Sequence, residues 1–178
     1  PLSLVNGAND NALLVKINSN GTYSWAKSFG GNGNDQGYDL KCKSNTELLL
    51  TGIYTGNIVF GTVPLAGGGN ARTYLAQIDT SGLVTSVISG SSSASSVIAS
   101  SVTCAGNDIY VSGSAYGNMN MAGISSFVPS SFLIKIAGNS NAISGKVFQD
   151  VNNNAIMDLT EVGLPNVLVQ LTNGSYQA

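Results

Sequence analysis

The chain has 178 residues, 43% hydrophobic and only 9% charged, with a formal net charge of −2 and no histidine. That balance offers no basic face for nucleic acid, and without histidine there is no imidazole base for a catalytic triad and no His-built zinc site. Ordinary domains carry roughly 25% charged residues; here Ser, Asn, Thr and Gly carry the polar load, as expected of a secreted surface protein, and no apolar run reaches the ~18 residues of a membrane helix.

Read in order, the first 140 residues are a series of short alternating runs parted by turn residues. Strands are predicted at 11–17, 22–29, 37–43 and 47–53, then at 72–79, 83–88, 97–104 and 108–113, with a further run at 131–137. Asn20-Gly21, Ser81-Gly82 and Gly106-Asn107 separate them as tight turns. The runs repeat. Leu13-Leu14-Val15-Lys16-Ile17 aligns with Tyr74-Leu75-Ala76-Gln77-Ile78, 61 residues on, and again with Phe132-Leu133-Ile134-Lys135-Ile136. Leu48-Leu49-Leu50-Thr51-Gly52 aligns in the same way with Ile109-Tyr110-Val111-Ser112-Gly113. Four strands per repeat at a period near 60 predict propeller-type blades. The run at 131–137 either closes a propeller or continues a linear β-array, and both arrangements remain open.

Beyond residue 140 the most distinctive stretch is Asp150 to Glu161. With Asp150 as position 1, oxygens fall at 1, 3 (Asn152), 5 (Asn154), 9 (Asp158) and 12 (Glu161), with the Ile156 carbonyl at 7. A hard cation such as Ca2+ takes six to eight oxygens at this spacing, the terminal glutamate binding through both. Ala155 stands where the turn favours glycine, at a cost of about 1 kcal/mol. The flanks alternate like strands, so the loop is expected between strands rather than helices.

Two resemblances follow from these residues. Ala12–Gly21, Trp25–Asp35 and Leu48–Gly52 resemble the bacterial β-propeller repeat abbreviated SBBP, which implies structural or adhesive extracellular repeats. Ser89–Ser96 breaks that pattern in the second repeat. Residues 142–178, with Gly145-Lys146-Val147-Phe148, the calcium loop and Gly163-Leu164-Pro165, resemble the opening of the serine-aspartate-repeat B domains and related collagen-adhesin B domains. Ala155 and Asn166 replace usual glycines. That resemblance implies a calcium-stabilised prealbumin-like or immunoglobulin-like sandwich used as a stalk.

Together these readings predict an all-β chain: four-stranded propeller-type blades over 1–140, then the first strands of a sandwich over 141–178. A complete sandwich needs about seven strands, and the chain opens on Pro1 without initiator methionine or signal peptide, so an excerpt of a longer protein is expected. In that sandwich start, Val147, Val167, Val169 and Leu171 form one apolar face that needs a cover. The expected function is structural and adhesive, not enzymatic, in a large secreted bacterial cell-surface protein. Its partners would be other domains of that protein or neighbouring copies, with a surface glycan or protein as ligand, and neither nucleic acid nor membrane insertion is expected. The alternatives are a carbohydrate-binding module, with Tyr23, Trp25, Tyr54 and Tyr116 lining a sugar face, and a filament subunit joined through open strand edges. Cys42 and Cys104 occupy equivalent third-strand positions, and are expected to be small buried hydrophobes rather than a disulfide.

Overall fold

The computed structural model describes residues 9–92, 95–115, 117–128, 130–138, 151–152, 170–172 and 175–177. The chain divides into two compact units, Pro1–Gly138 and Asn139–Ala178. All regular structure among the described residues is β-strand.

The first unit holds β1 (Ala12–Ile17), β2 (Tyr23–Gly31), β3 (Asp35–Cys42), β4 (Glu47–Tyr54), β5 (Ile58–Phe60), β6 (Val63–Leu65), β7 (Arg72–Asp79), β8 (Val84–Ser92), β9 (Val97–Ala105), β10 (Asp108–Ala115), β11 (Gly117–Met121), β12 (Ile124–Val128) and β13 (Ser131–Ile136). Every strand expected from the repeats forms. Each repeat also adds a short hairpin, β5–β6 in the first and β11–β12 in the second. The second of these turns at Ala122 (φ 53°) and Gly123 (φ 78°), the positive angles that a two-residue hairpin needs to match strand twist.

The sheets are not cut where the sequence repeats. In order, they are β1-β2-β5-β6, then β12-β11-β8-β7-β4-β3, then β13-β10-β9, antiparallel throughout. Strands β2 and β3 follow each other in one repeat yet lie in different sheets. The middle sheet instead takes β3 and β4 from the first repeat and β7 and β8 from the second, joined by the β4–β7 ladder from Glu47↔Asp79 to Tyr54↔Arg72. The hairpin of each repeat reaches back to the sheet before it: β5 pairs β2, and β11 pairs β8. The run at 131–137 is β13, which pairs β10 just as β7 pairs β4.

This arrangement explains the apolar runs. The middle sheet is covered on both faces, so β4 and β7 bury consecutive residues instead of alternate ones. Toward the first sheet, Leu50, Tyr54, Tyr74, Ala76 and Ile78 pack on Ala12, Leu14, Phe29, Ile58 and Phe60. Toward the last sheet, Leu49, Leu75, Met119 and Met121 pack with Val97, Val102, Ile109, Val111 and Ile134. Several positions correspond between the two layers: Phe60 matches Met121, Leu50 matches Val111 and Ala76 matches Ile134. In the first layer Phe60 stacks on Phe29 (centroids 5.0 Å apart) and tilts against Tyr74 (4.6 Å), a geometry that adds to plain burial.

The Thr-Gly and Ser-Gly ends of the repeated motif also have a cause. An irregularity between Gly37 and Asp39 interrupts the β3–β4 register, and one between Ser112 and Gly113 interrupts β9–β10. At these points a Cβ on Gly52 would lie 1.9 Å from the Gln36 carbonyl oxygen, and one on Gly113 would lie 2.0 Å from that of Ile98. Only glycine admits so close a backbone approach.

In the second unit, β14 (Gln170–Thr172) pairs with β15 (Ser175–Gln177). Of the apolar face expected there, Val147, Val167 and Val169 lie outside the described residues, as does the Leu171 side chain.

Candidate functional site

Of the expected calcium ligands, the structure describes only Asn152, which is exposed. Asp150, Asn154, Ile156, Asp158 and Glu161 lie outside the described residues, as does Tyr116. Among the described residues no group of three or more His, Cys, Asp or Glu side chains is gathered, and no helix is long and apolar enough to cross a membrane.

The described residues of the expected sugar face, Tyr23, Trp25 and Tyr54, do not form one stacking surface. Tyr54 is completely buried and its hydroxyl meets the Ser89 hydroxyl. Trp25 is half-buried, packs on the first core layer, and its Nε1–H donates to the Thr80 carbonyl at 3.1 Å. Of these three, only Tyr23 stands out in solvent. The cysteines correct an expectation. Both are free thiols; Cys42 is exposed, whereas Cys104 is half-buried and packs against the second core layer. They are nevertheless close, with Cys104 Sγ 3.9 Å from the Cys42 carbonyl oxygen. Cys42 is exposed because it ends β3, an edge strand whose side chains are largely open.

The acids have distinct duties. Asp79 caps the β7–β8 turn: its Oδ1 accepts from the Ser81 hydroxyl (2.6 Å), the Ser81 N–H (2.8 Å) and the Leu83 N–H (2.9 Å). These bonds, the Ser81 hydroxyl foremost, hold its carboxyl below the usual range. Asp108 pairs with Lys135 at 2.6 Å on the surface. Asp39 bridges sheets. Its Oδ2 accepts from the Val102 N–H at 2.8 Å and the Ser101 hydroxyl at 2.7 Å, fastening β3 to β9 of the next repeat. The Val102 bond is the main reason its carboxyl stays charged to lower pH than usual.

Asp35 behaves differently. It opens β3 and is fully buried. Its Oδ2 accepts from the Gly31 N–H at 2.9 Å, while its own N–H donates to the Asp10 carbonyl at 2.9 Å. Burial pushes its pKa up to about 6, although backbone N–H groups of Gly31 and Thr55 favour the charged form. Asp35 Oδ1 has no hydrogen-bond partner, and neither does the buried Asn11 Oδ1. Both residues line one recess of about 460 Å³, together with Asp10, Gln36 and Tyr38. Asp35 and Asp39 therefore form no carboxylate pair: one reaches back to the first sheet and the other forward to the third. Their spacing in sequence gave no sign of this, because the strand irregularity between them reverses the side on which they emerge.

The chain matches no protein-family model and no curated protein.

Proposed function

We propose that the chain is a structural and adhesive segment of a large secreted bacterial cell-surface protein. Its repeats form a rod-like or ring-like series of stacked sheets, and residues 141–178 open a calcium-stabilised stalk. One observation carries the reading. Leu13, Val15 and Ile17 are 59%, 37% and 58% exposed, whereas their counterparts in the next repeat, Tyr74, Ala76 and Ile78, are each 0% exposed beneath the first sheet. At the other end Leu133 is 71% exposed, whereas its counterpart Leu75 is fully buried. These outer faces are the two halves of the interface that already joins the sheets internally. Exposed apolar side chains grouped like those of β1 mark contact surfaces, and the surface that fits them best is another repeat of this type.

The test is to place a further copy of residues 12–71 ahead of β1 and probe Leu13→Cys in a Cys42→Ser/Cys104→Ser background. The thiol should label rapidly in the present chain and be protected in the extended one. Equal labelling in both would defeat the repeat-stack reading. The stalk is tested separately by melting with calcium and with chelator. Calcium should stabilise residues 143–171, by about 2.7 kcal/mol at a hundredfold excess over Kd, and Glu161→Gln should lose most of that gain.

The same two faces favour a filament subunit as the second reading. Head-to-tail contact between unlike faces of identical chains propagates into fibres if it does not close. Fibres with a regular repeat in electron micrographs of the purified chain, lost on Leu133→Ser, would select it.

A further inference from the structure

Two of the residues that line the recess at the start of β3 each carry a buried oxygen without a hydrogen-bond partner. An ionised carboxylate taken from water without a full set of partners is costly, and buried oxygens are nearly always satisfied. Asp35 is fully buried with Oδ1 unpartnered, and Asn11, which lines the same recess, also has an unpartnered Oδ1. Adjacent residues of β2 hold the two side chains. Gly31 N–H binds Asp35 Oδ2 at 2.9 Å, and a Cβ on Gly30 would lie only 2.0 Å from Asn11 Oδ1. The Asn11 Nδ2 is turned to the Ser28 hydroxyl at 3.3 Å, which leaves its oxygen toward the glycines. Asp10, in the same recess, is exposed at its mouth.

The second repeat shows that the scaffold does not require this arrangement. There the backbone bond from Asp35 N–H to the Asp10 carbonyl (2.9 Å) recurs between Val97 N–H and the Ala71 carbonyl (2.8 Å). Ala71, Arg72 and Val97 thus stand in place of Asp10, Asn11 and Asp35, and all three side-chain oxygen donors are gone together. The strand geometry is kept while the oxygen set is not.

We propose that Asp35 and Asn11, with Asp10 at the mouth, bind a calcium-type divalent cation that ties β3 to the β1–β2 sheet. Carboxylate and amide oxygens are hard donors suited to Ca2+, and water fills the remaining coordination positions in an open recess. The site is separate from the loop at 150–161 and lies in the other compact unit. A simpler arrangement competes with it: a proton on Asp35 would neutralise the acid and relieve the cost of burying its charge without a metal.

Calcium titration by calorimetry on the whole chain separates these, carried to about 10 mM because extracellular calcium modules bind at roughly 10⁻⁴–10⁻³ M. The wild type should bind two ions, Glu161→Gln one, Asp35→Asn one, and the double variant none. Asp35→Asn keeps the side-chain shape and supplies the hydrogen that the protonated acid would, so it preserves packing. Asn11→Ala removes a single donor and should weaken the Asp35 site roughly tenfold or more. If wild type and Glu161→Gln both bind one ion and Asp35→Asn binds none, this site stands and the stalk loop falls. If Asp35→Asn binds as many ions as the wild type, or Glu161→Gln binds none, the proposal is overturned and the proton holds the site.

Discussion

The two repeats of this chain share a backbone and differ in what they place on it. Each has paired turns at the same positions, Asn18–Thr22 in the first and Asp79–Leu83 in the second, closed by bonds of 2.8 Å in both. Each has a register irregularity in the first ladder, at Lys16/Ile17 and at Gln77/Ile78. Yet the first repeat buries a carboxylate where the second buries Val97, and it exposes Leu40 (45%) where the second buries Val102 (3%). The comparison separates what the architecture demands, which is strand order, glycine at the close approaches and an apolar layer between sheets, from what one copy can vary.

The largest effect should come from forcing the second repeat to resemble the first. Val97→Asp puts a carboxylate into a closed apolar layer that lacks the Asp10, Asn11 and Asp35 group, and should destabilise by about 3 kcal/mol or more. The reverse change, Asp35→Val, exchanges a partly satisfied acid for the residue the fold already accepts, and should stay within about 1 kcal/mol of wild type without calcium. Urea unfolding of the two variants measures both, and equal losses would break the comparison.

A matched pair isolates position from chemistry. Ile78 is fully buried and Ile17 is 58% exposed, at equivalent points of β7 and β1. Ile78→Ala should cost about 2–5 kcal/mol, and Ile17→Ala under about 0.5 kcal/mol. In a chain extended by a preceding repeat, Ile17→Ala should become as costly as Ile78→Ala. Thermal unfolding of the three variants against their two parent chains decides it.

The smallest effect concerns the bridge between repeats. Asp39→Ala leaves the Val102 N–H without its acceptor and should cost about 1 kcal/mol. Its carboxyl pKa lies below the ordinary 3.8 in the folded chain, the Val102 bond being the chief cause. Its contribution is therefore complete above the unfolded value and fades as pH falls through the folded one. The gap between wild type and Asp39→Ala should be constant from pH 7 to 5 and shrink below pH 4. A gap that grows on acidification would place the stabilisation elsewhere.

Much of this was legible in the sequence. The strands of the repeats follow from alternation and turn residues, because those signals are local. The hairpins β5–β6 and β11–β12 were missed: Ile58–Phe60 and Val63–Leu65 are too short to show a period, although Ala122-Gly123 carried a turn signal. Sheet membership was hidden because pairing β4 with β7 rather than β2 with β3 is decided by distant partners. For the same reason nothing near Asp35 in the sequence marks it as buried. Its burial is produced by Asn11, Gly30 and Gly31 of another sheet, which no window of sequence around it contains. Cys42 was misjudged because third-strand placement alone did not reveal an edge.

The interleaving of repeats has a consequence for biosynthesis. The β3–β4 hairpin emerges from the ribosome complete, but the sheet that holds it must wait for β7 and β8, which end at Ser92. At about 5–20 residues per second, the nearly forty residues beyond Tyr54 take roughly 2–8 s. For the first part of that interval, until β7 is complete at Asp79 after roughly 1–5 s at that rate, the β4 edge is unpaired and able to recruit the same edge of a neighbouring nascent chain. Each added repeat closes the edge left by the one before and opens a new one. The hazard therefore travels with the growing end, and polysome spacing and chaperone occupancy at that end should govern how much of a long repeat protein reaches its folded form.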